Sequence, residues 1–172
     1  MKLENIVPWG RTLSEYKMMF NLGDTELNKK ILGCGDGPAS FNAELTLEGG
    51  SAISVDPTYQ FTKEQIAERI EVVAQEVMAE VRKNKEKFIW KNIANPDALY
   101  TLRMGAMKQF LEDYDNGKQE GRYIEASLPN LSFKDSRFDL ALCSHFLFLL
   151  RRDRTRNPPF VNRAFAIGTQ SR

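Results

Sequence analysis

Residues 31–41 read ILGCGDGPASF: an apolar pair runs into Gly33, Gly35 and Gly37, with Pro38 directly behind. Glycines at this spacing let backbone approach a ligand with no Cβ in the way, and they open left-handed conformations. A turn of this kind after an apolar run is the junction of a strand–turn–helix unit. Pro38 suits the first position of the helix that follows, because its φ is already helical. A phosphate-gripping loop would need GxxxxGK followed by Ser or Thr, and no lysine follows here. A dinucleotide turn needs GxGxxG, whereas the third glycine comes one residue early and Pro38 stands where close helix–strand packing is wanted. Asp36 would also set a negative charge beside a pyrophosphate. The spacing suits a ligand that is neutral or cationic near the turn.

The next short apolar stretch, SAISVDP, ends in Asp56, 23 residues after Gly33. In a strand–helix–strand unit that spacing puts a carboxylate at the carboxyl end of the neighbouring strand. There it can accept both hydroxyl hydrogens of a ribose. A glycine turn with an acid at this distance points to a nucleoside, without saying which one.

The rest of the chain extends this pattern. RTLSEYKMMFNLG places Leu13, Tyr16, Met19 and Phe20 on one face of a short helix stopped by Gly23. LNKKIL is a strand leading into the glycine turn. ASFNAELTLEGG is a helix with a Gly-Gly stop. A long helix runs from Thr62 to about Lys87, with Thr62 and Gln65 forming a capping box and Ile66, Ile70, Val73, Val77 and Val81 an apolar stripe. Its KNKEK end reads as solvated. A further helix starts near Asp97 after Pro96 and closes near Gly117. RYIEASL and RFDLALCSHFLFLL are strands, joined by the loop PNLSFKDS. Strands alternating with helices predict an α/β fold with a parallel sheet.

Composition sets bounds. The chain has 172 residues, 42% apolar and 27% charged, with a net charge of +1, which suits one globular domain and gives no nucleic-acid signal. The 13-residue apolar run FDLALCSHFLFLL is too short to span a bilayer, and MKLENIVPWG lacks the apolar run of a signal peptide. Two cysteines, Cys34 and Cys143, make no disulfide framework, so reduced thiols in the cytoplasm are expected. Cys34, Cys143 and His145 lack metal-site spacing, so no metal is expected.

Taken in order, ILGCGDGPASF, ISVDP and LSFKDSRFDLALCSHFLFL resemble the first four strands of a class I S-adenosylmethionine-dependent methyltransferase, over roughly residues 27–150. The stretch LSFKDSRFDLAL is similar to the family's LPFxDxxFDLV. The resemblance implies a Rossmann-like parallel sheet with flanking helices, S-adenosyl-L-methionine as cofactor and transfer of its methyl group to an acceptor the residues do not name. It implies that Gly33, Cys34, Gly35 and Gly37 line the methionine side and that Asp56 binds the ribose, with Pro57 beside the adenine. Ser127 and Leu128 would contact the adenine amino group and ring, and Ser144 and His145 would face the reactive end. His145, the one histidine, is the candidate base. Two family acids are replaced, by Ile31 before the turn and by Ser127 on the adenine side. The segment PWGRTLSEY reads either as a lid, with Arg11 meeting a carboxylate and Tyr16 an amine, or as a helix packing Tyr16 and Met19 into the core.

Composition shifts after Leu150. Residues 151–172 carry six Arg, one Asp and no Lys, an irregular Arg-rich tail after a 1–150 core whose first 26 residues form an N-terminal arm and helix. The shift predicts a truncated or frame-altered end and a sheet of about four strands, incomplete at the C-terminus. Its last strand would then be an apolar edge able to self-associate. The expected function is therefore a methyltransferase whose activity the truncation leaves open. The alternative is a non-catalytic fragment or interaction module pairing through that open edge; a nucleotide-dependent oxidoreductase is disfavoured by the GxGxG spacing.

Overall fold

The computed structural model describes residues 7–88, Trp90 and residues 93–143. Its centre is a four-stranded, all-parallel sheet: β1 (Lys30–Cys34), β2 (Ser51–Val55), β3 (Tyr123–Ile124) and β4 (Leu140–Cys143), in the order β3-β2-β1-β4. Five helices accompany it: α1 (Leu13–Phe20), α2 (Asp24–Leu27), α3 (Phe41–Leu47), α4 (Lys63–Lys83) and α5 (Pro96–Gln119). This is a Rossmann-like α/β arrangement, as the alternation of strands and helices predicts. Among the described residues no helix is long and apolar enough to cross a membrane. Ser144, His145, the apolar run to Leu150 and the tail at 151–172 lie outside the described residues.

Strand alternation sorts the sheet's two faces. Ile31, Ala52 and Leu142 point to a core built with Leu13 and Tyr16 of α1 and Phe41 and Leu45 of α3. Tyr123 extends that side into an aromatic cluster with Tyr59, Phe110 and Tyr114, against which Ile66 and Ile70 of α4 pack. The opposite face, with Leu32, Cys34 and Val55, is covered by the irregular 126–138 segment through Leu128, Leu131, Phe133 and Phe138. Burying side chains of this size contributes about 1.5–3 kcal/mol each. Among the described residues the helical face therefore holds the larger set of buried apolar side chains.

The long helix starts where its sequence predicts but ends at Lys83, short of the expected Lys87. Thr62 caps it and Gln65 closes the capping box; Ile66, Ile70, Val73 and Val81 are buried, while Val77 is only partly so. Lys85–Lys87 follow as an exposed turn. Four further boundaries differ from expectation. α1 ends at Asn21, which takes φ 51°, because Asn tolerates the left-handed region; Gly23 instead starts α2, a helix the sequence pattern hid. α3 starts at Phe41 rather than at Pro38, which stays within the loop. α5 runs past Gly117, which is buried against Tyr123 where an added Cβ would meet the ring at 2.3 Å; the left-handed stop is Gly121 at φ 73°. β3 is only two residues long, because Ser127 already pairs with Asn130 in a turn.

Candidate functional site

The site lies where β1, β2 and β3 end. Strand β1 delivers Cys34 into the turn, in which Gly35 takes φ 70° and Gly37 φ 55°. These are left-handed values that a side chain strains to reach, so the turn needs glycine at both. β2 runs parallel to β1 in the register Cys34↔Val55. Asp56 therefore emerges beside the turn, the placement inferred from its spacing.

Asp56 ties the two strand ends together. One carboxylate oxygen accepts the Gly37 N–H at 2.9 Å and the other the Thr58 N–H at 2.8 Å, the latter capping the short turn Pro57–Gln60. Each oxygen keeps a further lone pair for a hydroxyl donor. Burial pushes the Asp56 carboxyl above the ordinary range, against the pull of those amide hydrogen bonds.

Asp36 has a different task from the one its sequence position suggests. Its side chain folds beneath the turn, leaving it 7% exposed. It accepts the Tyr16 hydroxyl at 2.7 Å and the Ser54 hydroxyl at 2.6 Å. Burial pushes its carboxyl up to about 6, opposed by those hydroxyls and reinforced by the charge of Asp56. Gly33 makes this possible: a Cβ there would stand 1.8 Å from an Asp36 oxygen. Gly33 thus serves the buried acid, a role invisible in the GxGxG pattern.

The network continues from the buried turn toward the partly exposed end of α5. Asn42 of α3 donates to Ser54 at 3.1 Å and accepts from Arg122 at 2.9 Å; Arg122 in turn grips Asp113 in a two-pronged ion pair at 2.6 and 2.7 Å. A continuous polar chain, Tyr16–Asp36–Ser54–Asn42–Arg122–Asp113, thereby joins α1, the glycine turn, β2, α3 and α5. Buried groups this well partnered specify a geometry, because any rearrangement leaves one of them unpaired.

The N-terminal segment packs and does not stand open as a lid. Tyr16 is 1% exposed and stacks on Phe41 with ring centroids 4.2 Å apart. Arg11 meets Glu15 at 3.3 Å. The buried Arg103 of α5 holds Glu15 through two hydrogen bonds of 2.6 Å and reaches the Gly10 carbonyl at 3.4 Å. Burial pushes the Glu15 carboxyl up, but Arg103, the Thr12 amide and Arg11 together hold it below the ordinary range. Met19, predicted inside, is 43% exposed.

A narrow cleft opens between the strand ends. It is lined by Cys34 of β1 and Gly35 of the turn after it, Val55 of β2 and Pro57 just beyond it, and Ala126, Ser127 and Leu128 after β3. Five of the residues singled out from the sequence (Cys34, Gly35, Pro57, Ser127 and Leu128) thus meet in one place. Gly33, Gly37 and Asp56 lie outside the lining, and Ser144 and His145 outside the described residues. The cleft's free volume is about 10 Å³, roughly one water's worth.

The chain is 33% identical over 150 residues to the uncharacterized protein MJ0045 of Methanocaldococcus jannaschii, a match covering 87% of this chain and 67% of the relative. It belongs to the family of that protein. No family model and no solved structure matches the chain.

Proposed function

We propose that this chain binds S-adenosyl-L-methionine at the carboxyl ends of β1, β2 and β3 and belongs with the class I methyltransferases that its motifs resemble. The observation that carries the reading is the juxtaposition of the Gly35–Gly37 turn with Asp56, which lends its own oxygen to that turn. The residues fit such a ligand in three respects. The turn presents backbone without side chains at two left-handed glycines. Asp56 retains acceptor capacity for a ribose. Two buried acids, Asp36 and Asp56, give the turn the sign that favours a cation over a pyrophosphate.

In this reading Gly35 and Gly37 hold the methionyl portion, Asp56 the ribose, and Pro57, Ala126, Ser127 and Leu128 the adenine. The bound sulfonium would supply an already activated methyl group, so the protein's own task is alignment and exclusion of water. A chain with two cysteines and no disulfide framework fits a reducing compartment such as the cytoplasm. Calorimetric titration with S-adenosylmethionine and with NAD tests the assignment. Binding of the first, weakened at least tenfold by Asp56→Ala, supports it; binding of NAD alone, or of neither, overturns it.

A second reading rests on one observation. Among the described residues β4 is the outer strand, and the sheet face carrying Cys143 is covered by an irregular segment instead of a helix. That edge could pair with another chain. Sedimentation that shows a monomer at all concentrations removes this reading.

A further inference from the structure

The two cysteines sit opposite one another. β1 and β4 run parallel in the register Cys34↔Cys143. Register partners in a parallel pair point to the same face, and both side chains belong to the cluster with Leu32 and Val55. Neighbouring strands lie about 4.7–4.9 Å apart, and disulfides bridge Cα atoms about 4.4–6.8 Å apart. Neither cysteine is disulfide-bonded in the structure. Cys34 is buried, whereas Cys143 is half-buried and borders solvent.

We propose that Cys34 and Cys143 form a reversible redox pair, oxidised by low-molecular-weight disulfides, that clasps β1 to β4 beside the cleft. The Cys143 thiolate attacks one sulfur of the oxidant, whose S–S bond breaks to release one small thiolate and leave a mixed disulfide on Cys143. The Cys34 thiol then loses its proton and attacks the Cys143 sulfur, expelling the second small thiol. Two electrons pass to the oxidant, two small thiols leave, and a dithiol reverses the sequence. The order follows from exposure. Burial, aided by the charges of Asp36 and Cys143, pushes the Cys34 thiol up to about 12, so it is the resolving partner and the second step is slow. Cys34 lines the cleft next to Gly35, so oxidation acts directly on the wall of the candidate site. The pairing itself depends on no ligand assignment.

The full chain is incubated under native conditions with excess oxidised glutathione, its remaining thiols are alkylated, and it is digested with trypsin without reduction. The expected product is peptide 31–63 joined to peptide 138–151 within a monomer, absent from Cys143→Ser. Phenylarsine oxide, which bridges two close thiols, gives a second readout on the unmutated chain: one equivalent bound, with both cysteines protected from alkylation. A mixed disulfide confined to Cys143 with Cys34 still alkylated, a cross-link only between two chains, or no oxidation would each overturn the pairing. So would an arsenical that leaves Cys34 open to alkylation.

Discussion

The Tyr16 hydroxyl donates to the Asp36 carboxylate at 2.7 Å, so a helix at the start of the chain holds the glycine turn from beneath. The contact spans twenty residues of sequence and joins α1 to the end of β1. Tyr59 adds a second support by donating to the Gly37 carbonyl at 2.8 Å. Asp56 adds a third through the Gly37 N–H. A turn whose glycines could sample many conformations is fixed from three directions. That is the preorganisation a binding loop needs if a ligand is not to meet the entropy cost of ordering it.

Asp36→Asn should stabilise the fold at neutral pH while weakening the site. Burial lifts the Asp36 carboxyl to about 6 in the folded chain, above its ordinary value near 4. A raised value means the folded state holds its proton more tightly, so this group's contribution is full below about pH 4 and is lost as pH rises through about 6. A difference of about two pH units corresponds to up to about 3 kcal/mol. The amide keeps the shape and can still pair with both hydroxyls, which donate or accept as needed. Denaturant unfolding from pH 4 to 8 should show the variant gaining on the parent as pH rises. A constant offset between the two would sink the idea.

Gly33→Ala and Gly10→Ala should both disrupt the turn but differ in rescue. At Gly33 the new methyl meets an Asp36 side-chain oxygen at 1.8 Å, whereas at Gly10 it meets the Pro38 backbone carbonyl oxygen at 2.0 Å. Shortening Asp36 to Ala removes the first obstacle and leaves the second. Overpacking of this kind typically costs about 1–3 kcal/mol. The double variant Gly33→Ala/Asp36→Ala should therefore unfold at higher denaturant than Gly33→Ala alone. Adding Asp36→Ala to Gly10→Ala should recover nothing.

Much of the cradle was legible because it is local. Glycine spacing, the Thr62 capping box and the strand-ending Asp56 are all written within a few residues. The unread part is long-range. GDG looks the same whether Asp36 faces a ligand or folds beneath the turn; only Tyr16 and Ser54, contributed by other elements, decide it. Arg103 on α5 gave no signal of its partner Glu15, 88 residues earlier, since an arginine in a helix normally faces solvent. At Gly23 and Gly117 a neighbouring Asn21 or Gly121 supplied the helix stop, and at Pro38 the helix began only at Phe41, so in none of the three was the residue with the strongest local preference the one used.

Arg103→Met should cost about 3–5 kcal/mol, because it leaves the Glu15 carboxylate facing α5 without its buried counter-ion. Arg11 at 3.3 Å is a partial substitute only, being single-pronged and nearer the surface. Adding Glu15→Gln should recover part of the loss, since a neutral amide tolerates the apolar gap better than a charge. The double-mutant cycle, read by urea unfolding, should give a coupling of at least about 1 kcal/mol. Strict additivity would mean that the two side chains act independently and that the ion pair does not lock α1 to α5.

The acid pair beneath the turn predicts how a cationic ligand should respond to pH. S-adenosylmethionine carries a sulfonium; S-adenosylhomocysteine is its uncharged thioether counterpart. In the free chain Asp36 is partly protonated near pH 6, with Asp56, Tyr16 and Tyr59 facing it. A cation at the turn favours the ionised form and draws that value down, so binding expels protons and strengthens as pH rises. If the value falls by about one pH unit, affinity should be about fivefold higher at pH 7 than at pH 5. The thioether should show a smaller change. Titrations at pH 6 in buffers with different ionisation heats count the protons released directly. Equal pH dependence for the two ligands would remove the acid pair from recognition, and Asp36→Asn should abolish the difference between them.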